Sequence, residues 1–203
     1  MMRSIGIAGL VLALLAGCGD LTSGGAGEVD VAITSGEVDP GTGERLLGDA
    51  ALEGTLSVQL RVFVQREGGS WVELTDGVQE VELSLASAEP IEVARRSIRE
   101  GRHDRVRMVF GRVEALVVRG LSVEGDTITG RVPVDLGVEG RLELERELQF
   151  DVRGGEPVEI LLELKAADWL RRLDIQACRA SSCRVDEADF EDELRVRSGT
   201  VRR

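Results

Sequence analysis

The side chains able to do covalent or acid-base chemistry are few and scattered. His103 is the only histidine, Cys18, Cys178 and Cys183 are the only cysteines, and tyrosine is absent. A catalytic site brings a nucleophile, a base and an acid together, and the only group beside His103 that could orient it is Asp104. Successive strand residues point to opposite faces, so these two cannot stand side by side as base and support. His103 is therefore expected as a solvated turn residue. The sequence holds no Gly-x-Ser-x-Gly elbow, no phosphate-binding loop and no dinucleotide fingerprint. Carboxylates are abundant, and Glu80 and Glu82 share one face of a strand, but acid pairs on solvent faces are what this composition produces. A glycosidase would add aromatic platforms for sugar rings, and only Trp71 and Trp169 could supply tryptophan for them. The run Asp186 to Glu193 offers hard oxygens to Ca²⁺, yet it lacks the spaced Asp-x-Asp-x-Asp-Gly pattern and reads as a solvated acidic segment. The expectation is a chain that is not an enzyme, with no catalytic residue, no metal and no cofactor.

Cys178 and Cys183 are separated by four residues, Arg-Ala-Ser-Ser. In an oxidising compartment so close a pair is most simply a disulfide closing a small loop. A metal site would need two more ligands, and a redox site would prefer Cys-x-x-Cys opening a helix.

The elements that must position these groups read as strands. Val29, Val31 and Ile33 alternate, and residues 39–43 mark a turn. Leu56, Val58, Leu60, Val62 and Val64 line one face of a long strand, which turns through residues 67–70 into Trp71 to Leu74. Val81, Leu83 and Leu85 form another, followed by an edge strand at 91–93. Residues 98–105 lead into Val106, Met108 and Phe110; Gly111 then interrupts the alternation, and Val113, Ala115 and Val117 resume it in the opposite parity. A bulge at Gly111 would return one face to the core. Further strands fall at 121–128, 131–136, 141–152 and 157–164. Only residues 166–173 look helical, with Trp169 expected to plug the open end of the domain or, alternatively, to stack on a ligand. About nine short strands with Gly-rich turns and no intervening amphipathic helices predict an all-β fold. The expected architecture is an antiparallel β-sandwich with a short C-terminal helical segment and a mobile tail. The sandwich spans 28–184, and the charged tail spans 185–203.

The N-terminus carries an address. One arginine, Arg3, precedes residues 5–15, which hold no polar side chain. That order fits a secretory signal, and the run is too short for a stable span, which needs roughly 20 residues. Next comes Leu15-Ala16-Gly17-Cys18. This resembles the lipobox of bacterial lipoproteins, and the resemblance implies signal-peptidase recognition through Leu15, Ala16 and Gly17, cleavage after residue 17 and lipidation of Cys18. Residues 18–27, rich in Gly and small polar side chains, are expected as a flexible tether. In the enterobacterial sorting rule an Asp directly after the Cys retains the protein in the inner membrane. Gly19 stands there, which points to the outer membrane, periplasmic side.

Removal of residues 1–17 takes away Arg3 alone, leaving 24 basic side chains against 37 acidic ones, a net charge of −13. Such an acidic domain with 3% aromatic residues lacks the basic track and stacking platforms of a nucleic-acid binder. Residues 54–170 also resemble an uncharacterised domain of bacterial lipoproteins with a transthyretin-like or immunoglobulin-like sandwich. The match lies in Glu100-Gly101-Arg102 leading into Arg105-Val106-Arg107-Met108-Val109, although the Pro and aromatic residue usual in that turn are missing. The resulting expectation is a lipid-anchored envelope protein with a non-catalytic binding or structural sandwich and a protein or glycan partner in the envelope. The alternative is an envelope hydrolase or carbohydrate-binding accessory protein using surface carboxylates, with or without calcium.

Overall fold

A computed structural model describes residues 25–38, 45–46, 52–180 and 182–200. In chain order they form β1 (Ala26–Thr34), β2 (Glu37–Val38), β3 (Arg45–Leu46), β4 (Glu53–Arg66), β5 (Trp71–Glu73), β6 (Gln79–Ser84), β7 (Ile91–Arg99), β8 (Gly101–Val123), β9 (Asp126–Pro133), β10 (Leu142–Val152), β11 (Val158–Glu163), α1 (Ala166–Leu170), α2 (Ile175–Arg179), α3 (Glu187–Glu193) and β12 (Arg195–Thr200). The signal segment 1–17, the Leu15-Ala16-Gly17-Cys18 motif, the expected turn at 39–43 and most of the tether lie outside the described residues. The first strand already includes Ala26 and Gly27, two residues before the expected domain boundary.

The fold is the all-β sandwich expected from the alternation. In β4, Leu56, Val58, Leu60, Val62 and Val64 are each fully buried, while the residues between them face outward. Such a strand is most stable at the centre of a sheet, where both edges are hydrogen-bonded. β4 pairs with β8 along one side and with β6 and then β5 along the other. β8 is long enough to carry two further partners, β10 beside its first half and β9 beside its second. The second sheet runs β12-β11-β1-β7. Its central pair, β1 and β11, is parallel; its other pairs are antiparallel. A parallel pair requires a long connection, and here the whole six-stranded sheet lies between the two strands in sequence. The inner faces of both sheets merge into one apolar cluster, in which each fully buried Val, Leu, Ile or Phe contributes about 1.5–3 kcal/mol.

Two glycines shape the long strands. Gln59 pairs with Arg112 and Leu60 with Phe110, so Gly111 is the extra residue of a bulge. Both Phe110 and Val113 therefore face the core. Gly54 lies where the β4 backbone approaches β8: a Cβ there would stand 2.0 Å from the Leu116 carbonyl oxygen. The turn between β8 and β9 sits at Glu124 and Gly125, with φ of 50° and 89°. Two successive positive φ values make the tight turn of a two-residue hairpin, so the strand break falls ahead of residues 128–131, the break expected from the alternation.

Residues 185–203 were expected as a mobile tail, and the described part of them belongs to the domain. β12 pairs with β11 over six residues, and α3 buries Phe190 completely. Phe190 and Leu194 lie four apart and so fall on one helix face. The dense acidic residues between them hid that spacing. Phe190 packs edge-on against Phe110 (5.3 Å, 89°) and Trp169 (5.9 Å, 74°), joining α3 to both β8 and α1.

Candidate functional site

His103 is not a solvated turn residue. It lies in β8, 2% exposed. Arg105 pairs with Gln65 but His103 pairs with Arg66, so Asp104 is bulged out of the ladder; β10 shifts register at the same level. The bulge brings the imidazole onto the face of Phe150, where the rings stack at 5.1 Å and 13°. Nδ1 lies 3.1 Å from the Gly101 carbonyl oxygen. Burial holds the His103 pKa below its ordinary value, and the Arg66 charge pushes the same way; the Gly101 carbonyl, Asp104 and Asp151 oppose them. A neutral ring that donates from Nδ1 to Gly101 is the consistent state, and this role is structural.

The other groups singled out in the sequence are placed as follows. Cys178 and Cys183 form a disulfide. The α2 helix that carries Cys178 is capped by Asp174, whose carboxylate accepts from the Gln176 and Ala177 N–H groups. Arg179 ties the same helix to Asp126 at the β8–β9 turn, at 2.6 Å. Trp169 is fully buried, and its Nε1 donates to the Leu164 carbonyl at 2.9 Å. It closes the core as the first of its two expected roles required and offers no surface to a ligand. Glu80 and Glu82 project from the solvent face of β6. The acids of α3 turn to arginines. Arg172 engages Asp189, Asp192 and Glu193, and Arg146 engages Glu191. Among the described residues no group of three or more His, Cys, Asp or Glu side chains is arranged to hold a metal ion.

Trp71 is half-buried on the outer face of the six-stranded sheet, with the Arg107 guanidinium 4.2 Å above its ring. Arg107 is held in turn by Glu145 at 2.7 Å and Glu143 at 3.2 Å. Beside it Arg61 makes a two-bond fork to Glu73, at 2.8 Å each, and covers Phe63. This face is a ladder of internally satisfied charges.

Three features were not visible in the sequence. The parallel pairing of β1 with β11 sets Asp30 beside Glu159, residues distant in the chain. Burial, and then the Asp30 charge, raise the Glu159 pKa, while Arg95 bonds Asp30 at 2.9 Å. The second feature is a sheet edge with no further strand beyond it among the described residues. β7 ends its sheet, and a groove of about 400 Å³ runs between Val93, Ala94, Arg95 and Arg96 on β7 and Leu74, Asp76 and Gln79 opposite. The third is the end of the sandwich where β1 begins. Ala26 pairs with Arg99, Glu100 accepts from the Gly154 N–H at 2.6 Å, and the turns 67–70, 99–101 and 153–157 gather there. Gly25, the first of the described residues, lies at this end.

No family model, no curated protein and no solved structure matches this chain.

Proposed function

We propose that the chain is a lipid-anchored protein of the cell envelope whose β-sandwich serves binding or envelope structure rather than catalysis. The observation that carries this reading is Leu15-Ala16-Gly17-Cys18 at the end of an eleven-residue apolar run. The Cys178–Cys183 disulfide suits an oxidising compartment. The groups with the most chemistry to offer are engaged in packing and pairing: His103 under Phe150, Trp169 in the core, the α3 acids on arginines. The β7 edge and its groove supply a surface where an extended partner could add main-chain hydrogen bonds. With Gly19 after Cys18, the outer membrane is the proposed site, on its periplasmic side.

Replacement of Cys18 by Ser in the native cell tests the anchor. The expected result is an unprocessed or released protein that takes up no radiolabelled palmitate. Unchanged membrane association and labelling would overturn it.

The hydrolase or carbohydrate-binding alternative draws on one observation, the Asp30–Glu159 pair with its raised Glu159 pKa, since catalysis by two carboxylates needs their pKa values set apart. It predicts turnover of an envelope glycan that Glu159→Gln abolishes. An inactive wild-type protein with no calcium-dependent thermal shift removes it.

A further inference from the structure

We infer that the end of the sandwich where β1 begins is a bilayer-facing surface, on which Arg66, Arg96 and Arg99 meet the phosphates of anionic lipid headgroups. This rests on the anchoring of Cys18 proposed above and names what the anchored domain touches.

Reach comes first. Seven peptide steps separate Cys18 from Gly25, about 25 Å when fully extended and roughly 15 Å for a flexible Gly-rich chain. The 14 residues of β4 cover about 45 Å. A tether of that length holds the Ala26 end near the bilayer and cannot bring the opposite end, with the β8–β9 turn and the disulfide, against it.

Charge comes second. The chain carries a net charge of −12, and its arginines mostly have carboxylate partners, as in Arg61–Glu73, Arg95–Asp30, Arg107–Glu145 and Arg131–Glu114. Arg66, Arg96 and Arg99 form an ion pair with no carboxylate among the described residues. All three stand toward the tether end. Arg99 is opposite Ala26 and Arg96 opposite Val29; Arg66 lies against Gly101, its Nε 3.0 Å from where a Cβ would be. The acids near them are Glu67, facing Arg102 at 3.9 Å, Asp151, facing Arg153 at 3.5 Å, Glu100, bonded to the Gly154 N–H, Glu28, opposite Ser97 and facing Arg95 at 3.8 Å, Asp76, which lines the β7 groove with Arg96, and the exposed Glu156. Four of these six are engaged with other groups, and none forms an ion pair with Arg66 or Arg99. Arginine suits phosphate because its planar fork can give two parallel hydrogen bonds. Each basic residue near an anionic surface shifts the equilibrium by about five-fold, within a screening distance of about 8 Å at physiological salt.

The overall charge and the local patch predict opposite signs, and the test reads the sign. The full lipidated chain is placed in vesicles of phosphatidylcholine alone or with phosphatidylglycerol, each carrying a headgroup nitroxide lipid. Trp71 reports proximity, because it pairs with Gln65 next to Arg66 and is half-exposed, whereas Trp169 is sealed in the core. Expected is stronger quenching of Trp71 on phosphatidylglycerol, reduced by salt. Arg66→Gln with Arg99→Gln should lower the ratio of apposed to detached orientations about twenty-five-fold, while flotation with vesicles is unchanged. Quenching that is equal or weaker on phosphatidylglycerol, or indifferent to the double substitution, overturns the inference and leaves the anchor standing. Failure to float overturns the anchor, and the bilayer contact with it.

Discussion

Phe190→Ala tests whether the acidic C-terminal segment is part of the folded domain. Phe190 is fully buried and touches two aromatic rings edge-on, at 5.3 Å and 5.9 Å. Truncating a buried Phe costs about 3–5 kcal/mol through lost transfer energy and the cavity left behind, and each aromatic pair accounts for about 0.5–1.5 kcal/mol of interaction beyond area. The upper half of the range is expected, because Phe110 sits in β8 and Trp169 in α1 and neither can follow the lost ring without disturbing its own packing. Against a total stability of about 5–15 kcal/mol, that is roughly a quarter or more of what holds the domain. At about 2–4 °C per kcal/mol for a domain of this size, the melting temperature should fall by roughly 8–20 °C. Urea unfolding followed by tryptophan fluorescence and far-UV circular dichroism measures the cost, and Trp169 should become accessible to acrylamide at lower urea. A cost below about 1 kcal/mol, the size expected for a surface substitution, would show that α3 and β12 do not close the sandwich and that this account of the segment is wrong.

Three further outcomes follow from single contacts. Replacing Cys178 and Cys183 by Ser opens a loop of six residues, for which loop-closure entropy gives about 2 kcal/mol and a melting point lower by about 4–8 °C; coincident melting curves, or two free thiols on alkylation without reductant, contradict the bridge. The lowered His103 pKa makes the neutral ring part of the fold, so its contribution is present above the unfolded value near 6.5 and is lost as the pH falls through the lower folded value. His103→Phe, which keeps the stack, should flatten the stability profile between pH 7 and pH 5, and an unaltered slope counts against burial of the imidazole. Glu159 has the opposite sign: its raised pKa stabilises the fold below the unfolded value near 4.5 and that gain disappears as the pH rises through the folded one. Glu159→Gln should therefore stabilise the protein at pH 7.5 and change little near pH 4.5, and the reverse pattern would show that Asp30 and Glu159 do not repel.

What could be read from the sequence is what depends on neighbours in the chain. The alternation through Val64 marked β4 as half of a core, and the parity change across Gly111 marked a bulge, because a two-residue period is a local property. The five-residue separation of Cys178 from Cys183 and the apolar setting of Trp169 were local as well. The β1–β11 pairing was hidden because nothing in either strand encodes a parallel partner 129 positions away. The Asp30–Glu159 contact was lost with it. His103 was misplaced because its burial depends on a bulge at Asp104 shared by three strands, whereas the polar run 98–105 by itself resembles a turn. The Glu124-Gly125 turn lacked the Asn or Asp that usually signals such hairpins. In the C-terminal segment, two apolar positions were outnumbered by acids whose partners, Arg146 and Arg172, lie elsewhere in the chain.

The anchor at Cys18 is tested most directly by the intact mass of the protein extracted from membranes of its native cell. The expected species is a chain that starts at Cys18, lacks residues 1–17, and carries the added mass of a diacylglycerol on the Cys18 sulfur, with or without a further acyl chain on the amino group. A chain that retains residues 1–17, or one whose Cys18 bears no lipid, would contradict it.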